Sequence, residues 1–261
     1  MPFPRISGYL KSRMLFGMKG RQVMKRRILM LGGFALGDYP LRDLAAALQD
    51  DGYAALPVPL PQDEDLPAGL AAVCRRYALG ADDVVLGWSL GGQLAALLAA
   101  AAGCRLVTLA SSPKFCADED WAGGMAAEAF ARFVRRQEAQ PEQNVAQFAA
   151  LAGMGDDCPQ LRQIVREVRA RVPEGEGQAA VNLRHLGWLA RLDTFACLHR
   201  LPVPQLHLLG ENDVLFDSAA VAARLPQRPD VQVRLLAGVG HLLPLTRAQA
   251  CAEAVHAFLT P

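Results

Sequence analysis

The chain has almost no net charge. Its 27 lysines and arginines face 26 aspartates and glutamates, for a formal charge of +1. A field that weak excludes the general attraction to polyphosphates that marks nucleic-acid-binding proteins, so a charged partner must be met by a local patch. Long apolar runs are also lacking. The longest candidate, Leu94 to Ala102, falls short of the about 18–20 residues that a membrane span needs. Cysteine pairs are missing. Cys74, Cys104, Cys116, Cys158, Cys197 and Cys251 are scattered with no C-x-x-C motif, which reads as reduced thiols of a cytoplasmic protein. No His/Cys cluster has ligand spacing, so no metal and no other cofactor is expected. No internal repeat is found. What is present is 261 residues, 52% hydrophobic and 20% charged, enough for one large α/β domain or two small ones with a sizeable core.

Residues 1–27 break the charge balance. Arg5, Lys11, Arg13, Lys19, Arg21, Lys25, Arg26 and Arg27 are all positive, and no acid precedes Asp38. The apolar stretch Met14–Met18 is too short for the core of a secretory signal. The expectation is a disordered basic leader, with Met24 as an alternative start residue. An amphipathic targeting or membrane-surface segment is the competing reading.

The informative stretch is Val84-Val85-Leu86-Gly87-Trp88-Ser89-Leu90-Gly91-Gly92 and the Ala/Leu-rich run to Ala102. An apolar strand ends in a serine boxed by glycines, and a helix follows at once. A bare G-x-S-x-G is a weak signal; strand before and helix after make it a nucleophile elbow. The serine backbone at such a turn is strained, bulky flanking residues would clash, and the Leu90 amide at the helix start can bond a developing oxyanion. The competing reading is a Gly/Ser-rich turn in another parallel sheet.

Around the elbow, short strands alternate with helices. Ile28–Leu31 predicts a buried strand, Pro40–Gln49 a helix, Tyr53–Leu60 a strand, Leu66–Leu79 a helix and Leu106–Ala110 a strand. This rhythm implies a mostly parallel central sheet with helices on both faces. It stops at Ser111. Residues 113–200 hold helical patterns (Met125–Ala139, Asn144–Ala152, Leu161–Arg171, Gln178–Leu192) and no convincing strand. They are expected to form a helical cap inserted in the second half, between core segments 28–112 and 201–261. Strands resume at Val203–Gly210 and Val231–Leu236, and Leu245–Leu259 predicts one closing helix burying Leu245, Ala248, Ala252, Val255 and Leu259.

Three chemistry-bearing residues fall at carboxyl ends of these strands: Ser89, Asp213 and His241. Their order, serine then acid then histidine, is that of an α/β-hydrolase. His241 could deprotonate Ser89 near neutral pH, and Asp213 could hold the imidazole tautomer. Asp217 competes for the acid role. His185, His199, His207 and His256 are poorer bases: His207 lies within a strand and His256 within the last helix. The loop Gly32-Gly33-Phe34-Ala35-Leu36-Gly37 sits where such a fold takes a second oxyanion amide, assigned to Phe34; by itself it is equally an ordinary strand-to-helix turn.

The residues Gly87–Gly92, Val107-Thr108-Leu109-Ala110-Ser111-Ser112-Pro113, Phe115, Trp121, Phe148–Leu151 and Met154-Gly155 give the chain a wider likeness over roughly 28–259. It resembles the BioH-type pimeloyl-[acyl-carrier-protein] methyl ester esterases of biotin synthesis. The resemblance implies Ser89, Asp213 and His241 as the triad, and Phe34 and Leu90 as oxyanion donors. It also implies a substrate site of Phe34, Ser89, Leu90, Phe148, Ala149, Ala150, Leu151, Ala152 and His241. Arg162 and Arg166 match the spacing of cap arginines that meet the acidic acyl carrier protein and its phosphopantetheine arm. Arg169 and Arg171 add positive charge against Glu167 alone; a solvated helix face is the plainer reading. Family members often carry His-Gly-Trp where this chain has Gly32-Gly33-Phe34. The implied protein is a cytoplasmic monomer with neither nucleic-acid nor membrane partners. The alternatives are a broad short-chain carboxylesterase without carrier dependence, and a binding protein on the same fold that has lost catalysis.

Overall fold

The structure, a computed structural model, describes residues 26–172 and 176–260. The leader reading for residues 1–27 therefore lies outside the described residues except at Arg26 and Arg27. Arg27 already opens β1 (Arg27–Leu31), and its guanidinium pairs with Asp83 at 2.6 Å.

The helix α1 (Arg42–Asp50) follows a 3-10 turn at Tyr39–Leu41. Next come β2 (Ala54–Val58), α2 (Leu66–Tyr77), β3 (Val84–Trp88), α3 (Leu90–Ala102) and β4 (Arg105–Leu109). The sheet is completed by β5 (Gln205–Gly210) and β6 (Val231–Leu236), in the order β2-β1-β3-β4-β5-β6. Every pairing is parallel. The central strands are continuous apolar runs because helices cover both faces. Pro57 is tolerated in β2 because that strand is an edge, where a missing N–H breaks no inner ladder.

Strand order reverses beside β1, which lies between β2 and β3. In open parallel sheets the crevice at such a switch, beyond the carboxyl ends, is where ligands bind. Both Ser89, after β3, and the Gly32–Gly37 loop, after β1, border that crevice.

Between β4 and β5 lie α4 (Ala127–Ala139), α5 (Pro141–Ala152), α6 (Leu161–Arg169), α7 (Glu176–Arg191) and α8 (Phe195–Arg200). The insertion leaves and re-enters the core at one place. Pro113 carbonyl accepts from the Thr194 amide at 2.9 Å and its hydroxyl at 3.1 Å, and Lys114 bridges Asp193. α8 then packs on α3, so it serves the core even though 113–200 reads as one helical block.

The expected closing helix is in fact two: α10 (Leu243–Thr246) and α11 (Ala248–Leu259). Arg247, at φ −137° and ψ 36°, breaks the register, and its side chain turns towards Asp156 and Asp157. Ala252 and Val255 are fully buried as the pattern requires, whereas Ala248 and Leu259 are only half-buried.

One buried histidine makes stability pH-dependent. His207 in β5 accepts at Nδ1 from the Thr108 hydroxyl (2.7 Å) and donates from Nε2 to Gln205 Oε1 (3.1 Å). The Gln205 amide nitrogen is committed to the Leu198 and Leu201 carbonyls, which leaves its oxygen as the acceptor. Burial pushes the His207 pKa down from 6.5 to about 3. Between those values the unfolded chain binds a proton that the folded one refuses, so this contribution is intact above about 6.5 and shrinks as pH falls. Burial moves His185 in the same direction. Melting temperature should therefore drop between pH 7.5 and 5, as read by circular dichroism, and His207→Gln should flatten that slope. An unchanged slope in the variant would remove the assignment.

Candidate active site

Ser89 directly follows β3 with φ 57° and ψ −124°, a backbone position that few non-glycine residues adopt, and α3 begins at the next residue. The flanking glycines follow from close approach. A Cβ on Gly87 would overlap the Gly91 carbonyl, and one on Gly91 would overlap the carbonyls of Leu31 and Gly32. The loop after β1 runs directly across the elbow: a Cβ on Gly33 would lie 2.7 Å from the Trp88 ring and 3.0 Å from Ser89 Cβ.

The three residues read from strand ends converge. His241 Nε2 is 2.9 Å from Ser89 Oγ, and His241 Nδ1 is 2.7 Å from Asp213 Oδ2. The His241 and Asp213 side chains are fully shielded from solvent. Asp213 uses its other oxygen to accept the Leu215 amide at 2.9 Å, which fixes the carboxylate plane. A serine hydroxyl, an imidazole and a carboxylate in series can move the serine proton to the ring as the oxygen attacks a carbonyl, and can stabilise the imidazolium that results. Asp217 does something else: it caps α9 (Ser218–Arg224) by accepting the Ala220 amide at 2.9 Å. His185 pairs with the Pro61 carbonyl, His199 with that of Arg224, and His256 with the Tyr53 hydroxyl, all apart from Ser89.

Several contributors were invisible to pattern reading. Trp88 donates Nε1–H to the His241 carbonyl at 2.9 Å and lies against its ring, with Phe216 edge-on to the same ring. Gln93 donates to the carbonyls of Ser112 and Pro113, which ties the Ala110–Pro113 passage to α3. Trp88 stands inside the motif, but its role depends on which carbonyl the fold brings to it.

Above Ser89 lies an apolar cavity walled by Phe34, Phe115, Met125, Phe133, Phe148, Leu151, Leu186 and Leu189. Phe34, Phe133 and Phe148 form an aromatic cluster with centroids 5.2–5.7 Å apart. Of the α5 residues expected to line a channel, Phe148 and Leu151 do so. Ala149, Ala150 and Ala152 do not: on a helix only one face can meet the cavity, and Ala150 points to solvent. Leu90, as the first residue of α3, has an amide with no partner within the helix. Phe34 contributes its ring to the cavity wall in addition to any amide role.

Arg162, Arg166 and Arg169 border a shallow open groove on α6 with Ala146, Val165 and Ala170. None of the three is in an ion pair among the described residues. Glu167 does not neutralise them. It accepts from Gln163 on its own helix and from Tyr39 (both 2.9 Å), and pairs with Arg42. Those donors hold its carboxyl below the usual range. Arg171 leaves the expected patch and lies over the Tyr39 ring at 4.7 Å.

Three of the thiols are poor nucleophiles. Burial pushes Cys104 and Cys116 up to about 11 and Cys251 to about 12, so they stay protonated at neutral pH. Among the described residues no group of His, Cys, Asp and Glu could hold a metal ion, and no helix is long and apolar enough to cross a membrane.

A sequence model of the alpha/beta hydrolase family matches residues 28–254. The chain belongs to that family. Among similar hydrolases is the biotin biosynthesis bifunctional protein BioHC of Cellvibrio japonicus, 34% identical over 74% of this chain. The match covers 38% of that protein, so the chain spans little more than a third of such a relative. The pimeloyl-[acyl-carrier protein] methyl ester esterase of Xanthomonas campestris is 32% identical over 76% of this chain and 79% of its own length. Among solved structures, a bromoperoxidase from Bacillus anthracis shares the hydrolase fold at a TM-score of 0.76, with 15% identity over 90% of this chain and 92% of that one.

Proposed function

We propose that this hydrolase is a serine carboxylesterase that cleaves the methyl ester of pimeloyl-[acyl-carrier protein] in biotin synthesis. The observation that carries the chemistry is the buried relay from Asp213 through His241 to Ser89, opening onto an apolar cavity. The substrate rests on the relatives. In this reading His241 Nε2 takes the Ser89 proton as Oγ attacks the ester carbonyl, and the amides of Leu90 and Phe34 receive the oxyanion. Methanol leaves with the proton from His241. A water molecule, deprotonated by the same nitrogen, then attacks the acyl-enzyme, frees the carboxylate and restores Ser89. The methylene chain lies against Phe34, Phe148 and Leu151, as an apolar acyl group requires. Arg162 and Arg166 meet the acidic carrier outside, with arginine suited to phosphate and carboxylate. The protein would act as a cytoplasmic monomer without a cofactor, a placement that its six free thiols support.

The narrow aromatic-walled cavity also suits short acyl groups, which keeps a broad short-chain carboxylesterase as the second reading. Comparing kcat/KM on the carrier-linked methyl ester and on a p-nitrophenyl ester separates the two; equal efficiency would favour the second. Replacing both Arg162 and Arg166 by glutamate should lower kcat/KM on the carrier-linked substrate by about 10-fold or more at low salt, and less at high salt, through lost electrostatic steering. The p-nitrophenyl reaction should be unchanged. Loss on both substrates, or on neither, would remove the carrier-docking role.

A further inference from the structure

The fully buried side chain of Asp156 lies in the loop that joins α5 to α6, so it comes from the insertion and not from the sheet. A carboxylate out of water needs donors, and four converge on it. Gly240 N–H (3.2 Å) and the Thr246 hydroxyl (2.6 Å) donate to Oδ2; Cys158 N–H (2.9 Å) and the Arg247 guanidinium (3.4 Å) donate to Oδ1. Gly240 immediately precedes His241.

The same loop grips the turns that carry both the acid and the base. The Asp157 amide donates to the Gly238 carbonyl (2.9 Å), and the Asn212 side chain, one residue before Asp213, donates to the Gly155 carbonyl (3.0 Å). Asn212 N–H in turn donates to the Val239 carbonyl (2.9 Å), which joins the acid turn to the base turn. The approach is close enough that a Cβ on Gly240 would lie 2.5 Å from the Met154 carbonyl oxygen. The His241 main chain is therefore held from two sides, by Trp88 at its carbonyl and by Asp156 through the amide before it.

We propose that Asp156 is a positioning residue for His241: anchored by Thr246 and Arg247, it fixes the Gly240 amide and so keeps the imidazole in line between Ser89 Oγ and Asp213. The inference rests on the reading of that relay as the catalytic centre. It explains why a second buried carboxylate stands behind the base without touching it, and why the helix break at Arg247 exists. An unbroken α10–α11 helix would carry Arg247 elsewhere. The loop also follows directly on α5, whose Phe148 and Leu151 wall the cavity, so one segment of the insertion reaches both the cavity and the turns that carry the relay.

Four variants test this, assayed on a p-nitrophenyl ester well below their melting temperatures. Asp156→Ala should lower kcat by about 10- to 100-fold with little change in KM, because small displacements of a base are costly while the cavity is untouched. The rate of Ser89 labelling by a fluorophosphonate should fall by the same factor, and the downfield Nδ1–H proton resonance of His241 should shift or broaden. Asp156→Asn keeps an oxygen for the Gly240 amide and should recover most of the activity. Asp83→Ala, which breaks the Arg27 pair at the amino end of β3, controls for general destabilisation: melting temperature falls and kcat stays. Asp156→Ala behaving like Asp83→Ala, with only its melting temperature lowered, would overturn the proposal. Where Asp156→Ala does not fold, Thr246→Val decides: a several-fold loss of kcat supports the anchor, and an unchanged kcat overturns it. Failure of wild-type Ser89 to label at all would sink the catalytic reading itself, a distinct result.

Discussion

Ser89→Ala should reduce ester turnover by about 10³–10⁶-fold while leaving the fold intact. In the proposed mechanism the hydroxyl forms the acyl-enzyme bond, so its loss would leave only the cavity and the proposed oxyanion donors to act on water. Stability should hold because the change removes one oxygen and adds no bulk, and because alanine at positive φ is tolerated elsewhere in this chain, at Ala35 (φ 56°) and Ala110 (φ 42°). Two measurements check this: turnover with an unchanged melting temperature, and rescue of a biotin-requiring strain that lacks its own esterase. Wild-type protein should rescue and Ser89→Ala should not. Near-normal hydrolysis by the variant would falsify the nucleophile assignment.

Asp213→Asn should lower kcat by about 10³–10⁴-fold through the wrong tautomer. Leu215 N–H already donates to Oδ1 of Asp213, so the asparagine oxygen stays on that side. Its amino group then faces His241 Nδ1, which must accept. The ring proton moves to Nε2, facing Ser89 Oγ, where a base is needed. KM and melting temperature should change little, because size and packing are kept. The competing acid separates cleanly: Asp217→Ala removes a helix cap, costing about 1 kcal/mol of stability, with kcat preserved. A large kcat loss in Asp217→Ala together with a small one in Asp213→Asn would reverse the assignment.

Much of the site was legible because it is built from strand ends. An apolar run followed by glycine and serine marks the elbow, and a buried strand that ends in Gly210-Glu211-Asn212-Asp213 puts an acid on the same sheet edge. The parallel sheet then does the rest, since every strand of this kind delivers its carboxyl end to one side. The cavity was half legible. Helical periodicity places α5 but does not say which face it turns to Ser89, so Phe148 and Leu151 could not be told from Ala149, Ala150 and Ala152. Phe115, Met125, Phe133, Leu186 and Leu189 come from other segments of the insertion and carry only the signature of ordinary core residues. Local charge grouped Arg171 with Arg162, Arg166 and Arg169, whereas the Tyr39 ring takes it out of the patch.

By itself the sequence determined the parallel sheet, the elbow with its serine, and the order of acid and base, because strand periodicity and the steric demand for glycine are local properties of the chain. Tertiary structure alone showed that Asp213 and not its competitor Asp217 pairs with His241, and alone decided the wall of the apolar cavity, the helix break at Arg247 and the grip of Asp156 on the turn before His241. Each of these rests on contacts between segments tens to more than a hundred residues apart, whose relative placement comes from packing and not from any local pattern.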